Sequence, residues 1–313
     1  MTTIALDMMG GDFAPLEAVK GVSAFRAEND EDIQLLLIGD EGKISELLNN
    51  YLPASSGYTI IHASQVIGMH EHPTRALKEK QQSSIAIGFQ LLASGKADAF
   101  ISAGNTGAMM VGALFSIKAV EGVLRPTIGA YIPRENGKLG LLVDVGLNSD
   151  CKPENLSQFA TLGSLFAEHV LNIPNPKTGL INIGEEEGKG NLLAQAAYPL
   201  LKANSQINFI GNIEGRDILL DKADVMVCDG FTGNVILKLA ESMYDLVQRR
   251  DIKDAHFDRF NFESYGGVPV LGVSKPVIIG HGISGSSAFK NMINIASRMI
   301  RTDLCGKIRE SFS

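Results

Sequence analysis

Cysteine is scarce in this sequence: Cys151, Cys228 and Cys305 are the only three in 313 residues. Their spacing matches neither a zinc site nor the disulfide framework of a small secreted protein, so we interpret them as small buried apolar residues. Tryptophan is absent, and no stretch reaches the roughly 18 apolar residues that a membrane-spanning helix needs. The N-terminus lacks the basic start and apolar run of a secretory signal. From these absences we expect a cytoplasmic protein.

Positive charge is also in short supply. The 28 lysine and arginine residues are outnumbered by 35 acidic residues, which gives a formal net charge of −7. Such a balance argues against a general nucleic-acid-binding protein, and an acidic partner would need a local basic patch. Hydrophobic residues make up 45% of the chain, which is ample for the core of a soluble globular protein.

The sequence also lacks the glycine spacing of a P-loop, the phosphate-binding loop of nucleotide-hydrolysing enzymes. The stretch NIGEEEGKGN (182–191) has the residue types of a P-loop, but only three residues separate Gly184 from Gly188. A P-loop needs four residues between its glycines and Ser or Thr after its lysine, where this chain has Gly190. The trio His70-Glu71-His72 lacks metal-ligand spacing, and we expect no metal site.

Short apolar runs alternate with segments of helical spacing along the chain. After a first strand at 4–6, the runs predict strands within 33–40, 58–64, 97–107, 127–133, 138–146, 178–190, 207–217, 223–234 and 277–285. Helical spacing occurs within 14–28, 82–95, 105–121, 154–172, 190–203, 232–250 and 285–301. This alternation is typical of a three-layer α/β/α fold with a largely parallel sheet. Because no linker or repeat interrupts it, we expect residues 1–313 to form a single domain.

Most predicted strands end in glycine together with Asp, Asn, Glu, Ser or His. Ligands of open α/β sheets bind beyond the carboxyl ends of the strands, so we predict one shared site at that edge. The first example is IALDMMGGDFAP (4–15), in which Gly10 and Gly11 precede Asp12 and a helix start. Glycine lets an anion approach backbone N–H donors. The alternative is that both glycines only permit a tight turn.

The segment SAGNTGA (102–108) joins another predicted strand to a helix. Its Ser102, Asn105 and Thr106 can donate hydrogen bonds to an anion beside the exposed backbone of Gly104. The alternative is that they only cap the helix and form its turn.

The segment DVGLNSDCKPE (144–154) forms a third connection of this kind. Asp144 and Asn148 are suited to position a nucleophile, and Lys152 is suited to neutralise phosphate. The alternative is a helix cap by Ser149 or Asp150, with Lys152 in solvent.

Later strand ends repeat the pattern. They contribute Glu185 and Lys189 of NIGEEEGKGN, Arg216 of GNIEGRD, Asp229, Thr232 and Asn234 of CDGFTGN, and His281 of GHG. Arg216 is a candidate anion ligand, and Asp229 is a candidate general base. For any single aspartate an Asx-turn is the commoner role. Likewise, Glu185 is compatible with a solvated helix start and His281 with a hydrogen-bonded structural residue.

Taken together and in order, these motifs resemble the bacterial phosphate acyltransferases of PlsX type. The resemblance runs from residue 4 to about residue 300 and includes GMHEHPTRALKEKQQSS (68–84) and YGGVPVLGV (265–273). It implies the fold shared by isopropylmalate dehydrogenase and phosphate acetyltransferase. The implied reaction transfers a fatty acyl group from acyl carrier protein to orthophosphate, giving acyl phosphate for phospholipid synthesis. The resemblance further implies no cofactor, a homodimer with peripheral membrane contact, and a membrane glycerol-3-phosphate acyltransferase that consumes the product.

Orthophosphate is the nucleophile of such a reaction, so the site needs anion and oxyanion donors rather than a serine or cysteine nucleophile. We predict catalytic roles for Asn105, Asp229, Asn234 and His281. We predict phosphate or substrate binding by Gly10, Gly11, Asp12, Ser102, Gly104, Thr106, Asp144, Asn148, Lys152, Glu185, Lys189, Arg216 and Thr232. The alternatives are a coenzyme A-linked phosphate acyltransferase and a non-catalytic acyl-binding scaffold.

Two features depart from the family pattern. Phe13 stands where the family commonly has His or Asn, and the helical excursion near 245–262 is short. Basic residues of that segment predict a docking surface for an acidic carrier protein: Arg249, Arg250, Lys253 and Arg259. The alternative is a solvated helix end, in which neighbouring aspartates offset these positive charges. The phenylalanines of the segment, Phe257, Phe260 and Phe262, offer little apolar area for a membrane.

Overall fold

The computed structural model describes residues 1–28, 32–52 and 57–313. Its strands are, in chain order, β1 (Thr2–Asp7), β2 (Ile33–Gly39), β3 (Tyr58–His62), β4 (Ala99–Ser102), β5 (Thr127–Pro133), β6 (Leu139–Val143), β7 (Lys177–Ile181), β8 (Asn208–Ile213), β9 (Val225–Val227), β10 (Gly267–Leu271) and β11 (Val277–Gly280). Its helices are α1 (Leu16–Glu28), α2 (Glu41–Tyr51), α3 (Pro73–Glu79), α4 (Ser84–Ala93), α5 (Thr106–Gly112), α6 (Pro153–His169), α7 (Leu192–Ala203), α8 (Gly230–Arg249), α9 (Ala255–Asp258), α10 (Ser286–Arg301) and α11 (Leu304–Phe312). A π-helical turn at Ala113–Ile117 continues α5, and 3-10 turns lie at Gly215–Asp217 and Phe262–Ser264.

The chain divides into two compact units. Unit 1 comprises Met1–Lys118 and Glu263–Cys305, and unit 2 comprises Ala119–Phe262 and Gly306–Ser313. The single domain expected from the sequence stays a prediction.

The strands of unit 1 follow the order β3-β2-β1-β4-β11-β10. Neighbours are parallel except for β10 and β11, which are antiparallel. Residues 4–6 of β1 pair with 35–37 of β2 on one side and with 99–101 of β4 on the other. They are fully buried, as expected for a parallel strand covered on both faces. Helix α10 packs on α1 and on β11, β4 and β1, and α4 packs on β1, β4 and β2.

The strands of unit 2 follow the order β5-β6-β9-β7-β8. The pair β5 and β6 is an antiparallel hairpin, and the other neighbours are parallel. Helix α6 packs on β9, β6, β5 and β7 and also on α7. Its Phe159 and Phe166 are fully buried, because one stripe of this amphipathic helix faces the strands. The carboxyl ends of β6, β9, β7 and β8 therefore lie along one edge.

The α/β fold with a largely parallel sheet is confirmed, and each predicted strand segment contains a strand. The sequence-based prediction missed β10, α2, α3, α9 and α11. Helix α2 had a readable start, because Asp40 follows β2 and its side chain accepts a hydrogen bond from Lys43 N at 3.1 Å. Strand β10 is harder to predict, since Pro269 lies within it and proline argues against a strand.

Candidate active site

In unit 1, three loops meet at the carboxyl edge of the sheet, because β1, β4 and β11 are adjacent and parallel. The N–H of Asp12 donates to the carbonyl oxygen of Gly282 at 2.7 Å, which joins the loop after β1 to the loop after β11. The loop after β1 also packs on Gly104, in the loop after β4. The predicted site residues of these loops therefore share one edge: Gly10, Gly11, Asp12, Ser102, Gly104, Asn105, Thr106 and His281.

The buried centre of this edge is the carboxyl group of Asp7, which sequence reasoning missed as a site residue. Asp7 is 1% exposed; its Oδ2 accepts a hydrogen bond from Ser102 Oγ at 2.7 Å, and its Oδ1 accepts one from Met9 N at 2.9 Å. Burial raises the pKa of Asp7, although hydrogen bonds from Ser84, Ser102 and the loop backbone oppose that shift. Asp7 therefore orders the loop after β1 and engages the hydroxyl of Ser102. The available signal was an aspartate directly after an apolar strand.

Gly10 has a packing reason to be glycine. A Cβ at position 10 would lie 2.5 Å from Asp7 Oδ2 and 2.5 Å from Gly104 N, which is too close for non-bonded atoms. The N–H groups of Met9 and Gly10 donate to Asp7, and that of Asp12 donates to a carbonyl oxygen. The tight turn considered from the sequence is therefore present, with donors used within the protein. Phosphate binding by this loop stays a prediction.

Asn105 fixes the position of the loop at 68–71. Its Nδ2 donates to the carbonyl oxygens of Gly68, Met69 and Glu71 at 2.9, 3.2 and 3.0 Å. Its Oδ1 accepts a hydrogen bond from Ala108 N at 2.9 Å, so the helix cap considered as an alternative is present. Because both amide atoms are engaged, the geometry favours a positioning role for Asn105. Its direct catalytic role stays a prediction, as does substrate binding by the exposed Thr106 that follows it.

His281 lies between β11 and α10 and is partly exposed. Glycines at 280, 282 and 285 of this connection have the G-x-G-x-x-G spacing of a dinucleotide-binding loop. The N-terminus of α10 is nevertheless occupied by two carboxylates. Glu17 Oε2 accepts a hydrogen bond from Ser286 N at 2.9 Å, and Glu263 Oε1 accepts one from Gly285 N at 2.8 Å. These are the donors that a pyrophosphate would need, and in this arrangement both are engaged by carboxylates of the protein.

In unit 2 the loop after β6 is built around Asp144, which has no exposed surface. Its Oδ2 accepts hydrogen bonds from Asn148 N and Asn148 Nδ2, both at 2.7 Å. Its Oδ1 accepts hydrogen bonds from Gly146 N and Leu147 N at 3.2 and 3.1 Å. Asn148 Nδ2 also donates to the carbonyl oxygen of Pro126 at 2.8 Å. The predicted residues Asp144 and Asn148 are thus in contact, and together they shape the loop that leads to α6.

The loop after β9 packs on the loop after β6. Gly230 N donates to the carbonyl oxygen of Asn148 at 2.8 Å, and Asn234 Nδ2 donates to that of Val145 at 3.1 Å. Asn234 is otherwise exposed near the start of α8. The parallel pairing of β6 with β9 brings these two loops together, as the strand-end argument predicts.

Asp229 caps helix α8. Its carboxylate accepts hydrogen bonds from Thr232 N at 2.9 Å and from Thr232 Oγ1 at 2.8 Å. The Asx-type arrangement considered for this residue is therefore the one found. Asp229 keeps partial solvent exposure, and its role as a general base stays a prediction.

Two of the predicted charged residues are already paired. Arg216 Nε lies 2.9 Å from Glu214 Oε2, and Glu185 Oε1 lies 2.6 Å from Lys222 Nζ. Lys222 Nζ also contacts Asp217 Oδ2 at 2.8 Å. Burial is the largest single influence on the pKa of Asp217 and would raise it. The hydrogen bonds from Lys222 and Glu214 N, together with the positive charges of Lys222 and Arg216, outweigh burial and lower the pKa. Arg216 and Glu185 thus belong to a local charge network after β7 and β8.

Lys152 and Lys189 differ from these, because neither forms an ion pair within the described parts of the chain. Both side chains are exposed. Their backbones are fixed: Lys152 N donates to Asn155 Oδ1 at 2.8 Å, and the carbonyl oxygen of Lys189 accepts from Asn182 Nδ2 at 3.1 Å. Two anchored lysines with unpaired ammonium groups are suited to attract an anion.

The thiols of Cys151 and Cys228, in the loops after β6 and β9, are poor nucleophiles. Burial, with Asp144 adding to it, raises the pKa of Cys151 to about 11. Burial also raises the pKa of Cys228 well above its ordinary value. A nucleophilic or metal-binding cysteine needs the opposite shift. Throughout residues 1–28, 32–52 and 57–313, no three or more His, Cys, Asp or Glu side chains gather as metal ligands.

Comparison with known proteins identifies the family. A family model described as "fatty acid synthesis protein" matches residues 2–254 and 246–307. The phosphate acyltransferase of Dictyoglomus turgidum is 43% identical over 330 positions, covering 99% of this chain and 97% of that protein. The phosphate acyltransferase of Acetivibrio thermocellus is 44% identical over 328 positions, covering 99% and 96%. The chain belongs to the phosphate acyltransferase family of PlsX type. This membership confirms the resemblance of the motifs and makes the protein an acyltransferase.

Solved structures show the same fold at low sequence identity. A phosphotransacetylase from Streptococcus pyogenes has a TM-score of 0.65 at 18% identity, covering 96% of this chain and 94% of that one. A branched-chain phosphotransacylase from Enterococcus faecalis V583 has a TM-score of 0.60 at 16% identity, covering 96% and 100%. The likeness supports the predicted α/β architecture of phosphate acetyltransferase type.

Proposed function

We propose that this protein transfers a fatty acyl group from acyl carrier protein to orthophosphate, giving acyl phosphate for phospholipid synthesis. The chain belongs to the phosphate acyltransferase family. The observation that carries the proposal is a pair of exposed lysines after strand ends, Lys152 and Lys189, which form no ion pair within residues 1–28, 32–52 and 57–313. An ammonium group acts as a point charge on phosphate and does not need a fixed geometry. Lysines therefore suit a substrate that must be held and then released as part of a product.

The reaction needs no nucleophile from the protein. An oxygen atom of orthophosphate attacks the thioester carbonyl carbon, the carbon–sulfur bond breaks, and the thiolate takes up a proton to become the carrier thiol. The raised pKa values of Cys151 and Cys228 argue against an acyl-cysteine intermediate. We assign the general base to Asp229 and substrate orientation to Asn234, since both keep exposed surface at strand ends of unit 2. The catalytic role of His281, at a strand end of unit 1, stays a prediction.

Acyl carrier protein is the proposed donor because a basic surface lies at the end of α8. We define this basic surface as Arg249, Arg250 and Lys253, whose side chains are exposed. Arg259 is not part of it, since its guanidinium donates to the carbonyl oxygens of Arg134 and Lys138 at 2.9 and 2.8 Å. An acidic carrier would be attracted to the remaining cations. A coenzyme A thioester is the alternative donor.

A homodimer is the proposed assembly, supported by an apolar stripe on α8. The stripe consists of Phe231, Val235, Leu239 and Leu246, all of which are exposed. Their spacing of four, four and seven residues places them on one side of the helix. Exposed apolar stripes of this kind are typical of surfaces that a partner covers.

The segment that follows α8 offers little apolar surface for peripheral membrane contact. Phe260 is buried, and its ring lies 6.3 Å from that of Phe257 and 5.7 Å from that of His256. These side chains pack on each other, which leaves little apolar surface for a bilayer. Within the described residues, no helix combines the length and apolar character needed to cross a membrane.

The phosphate assignment is tested with Lys152→Ala and Lys189→Ala. Each variant should raise the KM for phosphate about tenfold, because losing about 1.4 kcal/mol of attraction corresponds to that factor. Lys177→Ala is the matched control, since Lys177 is an exposed lysine at the amino end of β7. Wild-type phosphate saturation curves in both site variants would show that neither lysine binds phosphate.

The donor assignment is tested by charge reversal of the basic surface. Arg249→Glu combined with Arg250→Glu should raise the KM for the acyl carrier thioester, most strongly at low salt. Little change is expected with an acyl-coenzyme A thioester if the enzyme accepts it. Lys43→Glu combined with Lys96→Glu, at two exposed positions of unit 1, is the control for the same charge change elsewhere. An unchanged KM for the carrier thioester at low salt would place carrier docking on another surface.

A further inference from the structure

An apolar patch lies at the carboxyl edge of unit 1. It consists of Phe13, Met69 and Ile283, which are 52%, 40% and 47% exposed. Phe13 follows Asp12 and Ile283 follows Gly282, and these two neighbours are joined by the 2.7 Å hydrogen bond from Asp12 N. A Cβ built on Gly282 would lie 3.0 Å from Met69 Cε, so the methionine side chain reaches the same place. Three loops therefore meet at one place, and each contributes one exposed apolar side chain there.

The protein holds this surface in position without covering it. Asn105 Nδ2 donates to the carbonyl oxygen of Met69 at 3.2 Å and also to those of Gly68 and Glu71. A buried asparagine thus fixes the backbone that presents an exposed methionine. Methionine adapts to apolar ligands of different shape because its side chain is unbranched and polarizable. Large apolar side chains grouped beyond the carboxyl ends of parallel strands are placed where such sheets bind ligands.

The charge beside the patch restricts what can lie on it. The Asp12 carboxylate oxygens would be 3.9 Å from a Cβ built on Gly282. A carboxylate offers no attraction to an anionic group at the patch itself, so the exposed apolar side chains suit an uncharged hydrocarbon as the occupant. The substrate of the proposed reaction contains such a part, namely its acyl chain.

We propose that Phe13, Met69 and Ile283 form the contact surface for the hydrocarbon chain of the acyl donor and set its chain-length preference. The inference rests on the proposed function. Each added methylene that reaches the patch gains transfer free energy from water, so the contribution grows with chain length. A donor too short to reach these side chains gains nothing from them.

The test compares butyryl and palmitoyl thioesters of the same carrier protein. Phe13→Ser, Met69→Ser and Ile283→Ser should each lower kcat/KM for the palmitoyl donor about tenfold, within the range found for apolar specificity pockets. The same variants should change kcat/KM for the butyryl donor less than about twofold. Leu200→Ser is the matched control, because Leu200 is 39% exposed on α7 of unit 2. Equal losses with both donors, or none with either, would overturn the proposal.

Direct binding separates this inference from the proposed function. The fluorescent fatty acid cis-parinaric acid should bind the wild-type protein and the Leu200→Ser control equally, and the three patch variants about tenfold more weakly. If the wild-type protein forms no acyl phosphate from any donor, the proposed function fails, and this titration still decides the apolar site. Equal binding by wild type and patch variants would place the chain elsewhere.

Discussion

Replacing Asp144 by alanine should be among the most damaging single changes at the strand ends of unit 2. The change removes the acceptor of two 2.7 Å hydrogen bonds from Asn148 and of two weaker ones from Gly146 and Leu147. Hydrogen bonds to a charged group contribute about 1.5–3 kcal/mol each. Water that enters the space left by the carboxylate will replace part of these hydrogen bonds, so we expect a loss of about 4 kcal/mol in the free energy of unfolding.

The assay is chemical and thermal denaturation of wild type, Asp144→Ala and Asp150→Ala. At about 2 °C per kcal/mol for a chain of this size, Asp144→Ala should lower Tm by roughly 8 °C. Asp150 is an exposed carboxylate in the same loop, so Asp150→Ala should stay within about 0.5 kcal/mol of wild type. The KM for phosphate should also rise in Asp144→Ala, because the loop leads directly to Lys152. Loss of less than about 1 kcal/mol would refute the view that Asp144 organises this loop.

Two further predictions concern pH and assembly. Burial raises the pKa of Asp7 in the folded protein above its ordinary value of 3.8. The protonated carboxyl group of Asp7 therefore stabilises the fold fully below pH 3.8, and this stabilisation is lost as the pH rises through the folded-state pKa. The free energy of unfolding of wild type minus that of Asp7→Asn should therefore fall from pH 4 upward in urea titrations, and a pH-independent difference would contradict the assignment. Leu239→Glu should convert a dimer to a monomer in light scattering, whereas Leu200→Glu should not; equal masses would exclude the α8 stripe as the interface.

The sequence was most informative where a local pattern decides the structure. The apolar runs at 4–6, 33–39 and 99–102 are buried parallel strands, because such strands need apolar residues on both faces. Glycine and polar residues after those runs correctly indicated where the loops converge. Helix α2 was missed although Asp40 supplies its cap, and β10 was missed because proline obscures its pattern.

Residue roles at the site were less predictable because they depend on contacts distant in the chain. The hydrogen bond between Ser102 and Asp7 joins residues 95 positions apart, and no local pattern announces it. Likewise, Glu185 is paired with Lys222, 37 positions away, while Lys189 in the same loop has no ion pair with any residue that the structure describes. Local spacing identifies candidates of the right chemistry. Only the fold shows which of them are engaged within the protein and which keep exposed side chains.

The measurement that tests the central claim most directly is formation of acyl phosphate from palmitoyl-acyl carrier protein and radiolabelled orthophosphate. The purified protein should produce label that co-migrates with palmitoyl phosphate, together with an equal amount of free carrier thiol. Labelled product and thiol should both depend on phosphate concentration and should persist in the presence of a metal chelator. Release of the thiol without labelled acyl phosphate, or absence of both at saturating phosphate, would contradict the account.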